Sequence, residues 1–127
     1  MYEIPTAIVV DDNKFTIRVL CDYLEMIDVK ILGRGQNGKD AVDLYSKFKP
    51  DIVFLDLLMP DYDGFYALSQ IRKRNPSAAV VIVTSDLSQE SAVKLDVLKP
   101  TKIIYKPFAV DAIAEVVDKI RMTKRKK

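Results

Sequence analysis

Five short apolar runs recur along the chain, at residues 6–10, 29–32, 51–55, 79–84 and 102–105, and between them apolar residues fall at helical spacing. The runs are near-continuously apolar rather than alternating, which suits strands buried on both faces. Strand and helix in strict alternation predict a parallel α/β sheet with helices on both sides. Asn13 is placed to cap a helix carrying Phe15, Val19, Leu20, Tyr23, Leu24 and Ile27. Gly33 and Gly35 read as the end of the second run. Asn37, with Asp40 three residues on, starts a helix that buries Ala41, Leu44, Tyr45 and Phe48 before Pro50 stops it. A loop from Asp56 to Gly64 leads into a helix with Phe65, Leu68 and Ile71 on one face, closed by Asn75-Pro76. Asp86 or Ser88 starts the next, with Ala92, Val93 and Leu95, ending before Pro100. Asp111 lies in the first turn of a last helix that buries Ile113, Val116, Val117 and Ile120.

At 127 residues the chain is one ordinary domain, with no internal repeat or interior linker. A hydrophobic share of 49% against 30% charged fits a globular protein. No apolar stretch nears the roughly 20 residues needed to cross a bilayer, and the N-terminus leads into a strand without a signal-type segment. With Cys21 the single cysteine, no internal disulfide can form, which suits a reducing, cytoplasmic setting. The chain has no histidine, so chemistry here must use carboxylates, hydroxyls, lysine or a metal. The net charge is +2, but Arg121, Lys124, Arg125, Lys126 and Lys127 crowd the end, and removing those five charges leaves −3 for residues 1–120. Residues 123–127 read as a basic tail, best explained as a solvated helix end. Nothing aromatic accompanies the charges, which disfavours nucleic-acid binding.

Four of the five runs end on a polar group: Asp11-Asp12, Asp56, Thr84-Ser85 and Lys106. The second ends in Gly33-Arg34-Gly35 and offers nothing comparable. In open α/β sheets ligands bind at the carboxyl edge of the strands. A strand order of 2-1-3-4-5, the flavodoxin-like arrangement, puts strand two at the rim and the other four side by side. That order is therefore preferred over a Rossmann-type one.

Three carboxylates and one ammonium would then converge. Three acids around one point repel unless a cation joins them, and oxygen-only ligation favours magnesium. One of the Asp11-Asp12 pair could simply cap the first helix, but that leaves the other unexplained. Asp56 can act as a nucleophile toward phosphorus. Such a transfer needs positioning and charge neutralisation above all. Lys106 suits a phosphate oxygen as a compact point charge, and a cis Lys106–Pro107 bond would aim it back over the sheet edge. Thr84 and Ser85 add hydroxyls.

Together these segments resemble the receiver domain of two-component response regulators. The matching residues are Val9-Val10-Asp11-Asp12-Asn13, Asp51 through Asp56, Met59-Pro60 with Asp63-Gly64, Val81 through Ser85, and Lys106-Pro107-Phe108. The resemblance implies a receiver over residues 1–122 with the flavodoxin-like (βα)5 fold. It implies Asp56 as phosphoacceptor, served by a histidine kinase or phosphotransfer protein. It implies magnesium on Asp12, Asp56 and the backbone carbonyl of Leu58, with Asp11 acting through water, and phosphoryl oxygens on Thr84 and Lys106. Output would pass through the helix 4, strand 5, helix 5 face to a downstream protein or domain, with a phosphorylation-dependent dimer also compatible. The chain departs from type where the family often carries an aromatic three residues before the lysine, here Ile103, and where Lys99-Pro100-Thr101 replaces a small Gly-Ala pair.

Four other readings compete. A receiver cut from a longer regulator would share every feature above. A phosphorylation-independent scaffold has little reason to keep three repelling acids. A phosphohydrolase with an aspartyl-phosphate intermediate would place its nucleophile and acid/base two residues apart after the first strand, and no insert is available to cap a substrate. A nucleotide site lacks the Gly-rich turn after the first strand.

Overall fold

The computed structural model describes residues 4–125. Five strands and five helices alternate: β1 (Thr6–Val10), α1 (Lys14–Met26), β2 (Lys30–Gly35), α2 (Gly38–Phe48), β3 (Ile52–Leu55), α3 (Gly64–Arg74), β4 (Ala79–Thr84), α4 (Gln89–Leu98), β5 (Lys102–Tyr105) and α5 (Val110–Arg125). The strands form one parallel sheet in the order β2-β1-β3-β4-β5, as the strand-end residues required. β1, β3 and β4 are interior and almost wholly buried, which is why their sequences are apolar without alternation. On one face α1 and α5 cover Ala7, Val9, Ile52, Phe54, Val81 and Val83; on the other, α2, α3 and α4 cover Ile8, Val10, Val53, Leu55, Val80 and Ile82. Among the described residues no helix is long and apolar enough to cross a membrane.

The helix starts follow their caps. Asn13 accepts hydrogen bonds from the amides of Phe15 and Thr16, Asn37 from Asp40, Asp63 from Tyr66, and Ser88 from Ser91. Between the two candidates for α4 the cap is thus Ser88. α5 runs through Arg125, so residues 123–125 extend the last helix, while the remainder of the basic tail, 126–127, lies outside the described residues.

Four expectations need correction. β2 does not stop at Gly33 but runs through Gly35, paired with Ile8 and Val10 of β1. The glycines belong there because α2 packs closely: a Cβ on Gly33 would meet Leu44 Cδ2 at 2.8 Å, and one on Gly35 would meet Asp40 Cβ at 2.7 Å. Phe15 is exposed, and the buried stripe of α1 is Ile17, Leu20, Cys21 and Leu24. On α4 only Ser91 and Leu95 are buried, leaving Ala92 and Val93 at the surface. Phe48, at the end of α2, is also largely outside the core.

Candidate functional site

Asp11, Asp56 and Lys106 each directly follow the last residue of a strand and stay tied to the neighbouring strand, and Thr84 is the last residue of β4. The Asp11 amide donates to the Gly35 carbonyl (3.1 Å), Asp56 to Val10 (3.0 Å) and Lys106 to Thr84 (2.9 Å). The ladder therefore extends one residue past β1, β3 and β5, and sheet geometry rather than a mobile loop fixes where these side chains start.

At this edge the acids meet. Carboxylate oxygens of Asp11, Asp12 and Asp56 lie within 4.8 Å of one another, with Asp11 and Asp56 buried and Asp12 exposed. Lys106 Nζ donates to Asp11 Oδ2 at 2.8 Å and stands 3.6 Å from Asp56 Oδ2. Asp11 Oδ1 accepts from the Asn13 amide (2.9 Å), and Asp56 Oδ1 from the Leu57 amide (2.8 Å). Burial above all, then the charge of Asp11, pushes the Asp56 carboxyl up to about 6 against the partial relief given by Lys106. One lysine thus does not neutralise three acids, and the donor set fits a hard oxygen-seeking cation such as magnesium.

A cavity of about 150 Å³ opens over Asp56, lined by Leu58, Thr84, Ser85, Asp86 and Lys106. Thr84 is buried, and its Oγ1 accepts from the Asp86 amide at 3.1 Å. Leu58 is 58% exposed at the rim. All the residues singled out in the sequence are thus brought to one place. The Lys106–Pro107 bond is cis.

Two contributors escaped the sequence reading. Asp86 serves the Thr84 loop: its carboxylate accepts from the Ser88 amide (2.9 Å) and from the Ser91 hydroxyl, and these bonds hold its carboxyl below the usual range. The Asp-x-Ser spacing was a usable signal, since Asp favours such local turns. Gly64 is the other. A Cβ there would stand 2.1 Å from the Asp56 carbonyl oxygen and 2.8 Å from Leu57 Cα, so α3 starts directly against the site backbone. Asp63-Gly64 was among the segments that carried the resemblance, but what the glycine touches shows only in the fold.

A parallel 2-1-3-4-5 sheet with acids and a lysine gathered at its carboxyl edge defines a class of phosphorylation-controlled signalling modules. The family profile for the response regulator receiver domain matches residues 7–118, and the chain belongs to that family. It is 37% identical over 113 residues to the chemotaxis protein CheY of Listeria monocytogenes, covering 88% of this chain and 94% of that protein. It is 33% identical over 124 residues to a protein-glutamate methylesterase/protein-glutamine glutaminase of Methanospirillum hungatei, covering 91% of this chain but 35% of that protein. Among solved structures it resembles a CheX–CheY–BeF3–magnesium complex from Borrelia burgdorferi, with a TM-score of 0.84 and 25% identity over 91% of this chain and 87% of that one.

Proposed function

We propose that Asp56 is the phosphoacceptor of this receiver and that Lys106 and Thr84 hold the phosphoryl oxygens. The observation that carries this reading is the Lys106 ammonium, placed between Asp11 and Asp56 at the mouth of the cavity over Asp56. Asp12, Asp56 and the Leu58 carbonyl would hold magnesium, with Asp11, already engaged by Lys106 and the Asn13 amide, acting through water. Bound there, magnesium supplies positive charge against the acids and the incoming phosphoryl group. An Asp56 carboxylate oxygen forms the new P–O bond, and the donor's P–N bond breaks, its electron pair returning to the donor imidazole. With no histidine of its own the chain needs an external donor, a histidine kinase or phosphotransfer protein.

The receiver is assigned to residues 1–122 and reads as a signalling module rather than an enzyme. The relative in which the match fills 35% of the length supports the alternative that such a domain serves a longer protein. Output is assigned to the α4, β5, α5 face, with Val93 and Val97 of α4 and Tyr105 of β5 exposed and Leu87 exposed in the loop before α4. A downstream protein or domain is the partner expected there.

The test is intact-mass measurement after incubation with acetyl phosphate and magnesium. One phosphate-sized adduct on the wild type, absent from Asp56→Asn, is expected. An adduct that persists in Asp56→Asn would overturn the assignment.

A further inference from the structure

The Lys106 ammonium is held at its tip by Asp11 and Asp56. On a flexible four-carbon stem, the range it covers over the pocket is bounded by where the backbone roots it. The backbone of Lys106 is held on the strand side by the bond from its amide to the Thr84 carbonyl. On the other side lie Pro107, Phe108 and Ala109, before α5 begins at Val110. Pro107 and Ala109 are exposed, so Phe108 is the one side chain of the three that turns inward. Its ring packs on the core cluster under α1 and α5 and meets Tyr23 of α1 edge to face, with centroids 5.9 Å apart and planes at 82°. α1 is also the helix whose cap, Asn13, directly follows Asp11 and Asp12 and donates its amide to Asp11. The Tyr23–Phe108 contact therefore joins the helix behind the acids to the loop that carries the counter-charge.

We propose that Tyr23 is a positioning residue for Lys106, acting through the ring of Phe108. It touches no reacting atom. It fixes the seat of Phe108 two residues beyond the lysine, and so narrows the positions the ammonium can take over Asp56. The inference rests on reading Lys106 as the group that meets the phosphoryl oxygens. A displaced donor lowers the rate of transfer without changing the carboxylates that would bind a cation.

The test follows adduct formation from acetyl phosphate by intact mass, beside magnesium titration calorimetry on the same samples. In Tyr23→Ala the adduct should form about fivefold more slowly, an effect of the size expected for losing one aromatic edge contact. Magnesium affinity should stay within twofold of wild type, and Tyr23→Phe, which keeps the ring, should restore the rate. In a Lys106→Ala background the further change Tyr23→Ala should leave the rate unchanged, because the group it positions is gone. A folded Tyr23→Ala that reacts at the wild-type rate overturns the proposal, as does equal slowing in both backgrounds. Should Tyr23→Ala fail to fold, Tyr23→Leu keeps the apolar bulk without the ring edge and carries the same comparison. A wild type that takes no adduct would instead remove the phosphoacceptor reading itself, a distinct result.

Discussion

Asp56 is buried beside another acid, and its carboxyl holds a proton up to about pH 6, against 3.8 for the ordinary group. Between those values the folded chain binds the proton more tightly than the unfolded one. Stability therefore falls as pH rises through the window, and the loss is complete above it. After allowance for solvent still reaching the pocket, the cost at neutral pH is about 2 kcal/mol. Asp56→Asn should thus melt roughly 5–10 °C above wild type at pH 7.5 in a chelator, and show no such gain at pH 4. Calorimetry at the two pH values checks this, and a lower melting point at pH 7.5 would refute it. Lys106 bears the opposite sign. Its ammonium competes for the acids that would bind a metal, yet would serve the phosphoryl group under the proposed function. Lys106→Ala should tighten magnesium binding several-fold, about what losing one nearby cation in a watery site implies. It should also slow adduct formation by about tenfold or more. Titration calorimetry and mass spectrometry should move in opposite directions, and parallel losses would point to general damage.

Among the elements, α3 shows how tightly the site is built against its scaffold. Its first residue, Gly64, donates its amide to the Leu57 carbonyl at 2.8 Å and has no room for a Cβ. Gly64→Ala should cost about 1–3 kcal/mol through overpacking and weaken magnesium binding, since the residues pushed aside are Asp56 and Leu57. An unchanged magnesium affinity with only a lower melting point would show that the strain is absorbed by α3 instead. Elements of this kind were partly legible beforehand. The bounds of β1, β4 and β5 and the buried set of α5 could be read because each is an apolar signal with a clear stop, even where, as in β5, it is short. The site could be read because its residues follow strands, where topology fixes position. What failed were inferences from single residues. Glycine was taken as a stop in β2, but there it makes room for Leu44 and Asp40 of α2, a packing contact with the next helix that the glycines themselves do not announce. Phe15 and Val93 were taken inward on helical spacing, whereas the faces that meet the sheet are those of Ile17, Leu20, Cys21 and Leu24 and of Ser91 and Leu95. Asp86 looked like one of two alternative caps, and its support of the Thr84 loop needed the fold of that loop.

At the scale of the whole molecule the three acids are a local instability that a cation can relieve, so stability, metal binding and pH are linked. Magnesium held at the folded site would have no comparable site in the unfolded chain, where Asp56 lies tens of residues from Asp11 and Asp12. A concentration about ten times the dissociation constant should add about 1.4 kcal/mol, or roughly 4–7 °C in melting temperature for a domain of this size. The gain requires ionised carboxylates. It should be full above pH 7, shrink as pH falls through about 6 where Asp56 takes its proton, and vanish near pH 4. Asp12→Asn removes the exposed acid of the cluster while leaving the buried pair and Lys106 in place, so its fold should persist and most of the magnesium gain should go. Thermal melts of both proteins, with magnesium or with chelator across that pH range, test the linkage directly. A magnesium gain that persists at pH 4, or that survives intact in Asp12→Asn, would mean the cation binds somewhere other than the sheet edge.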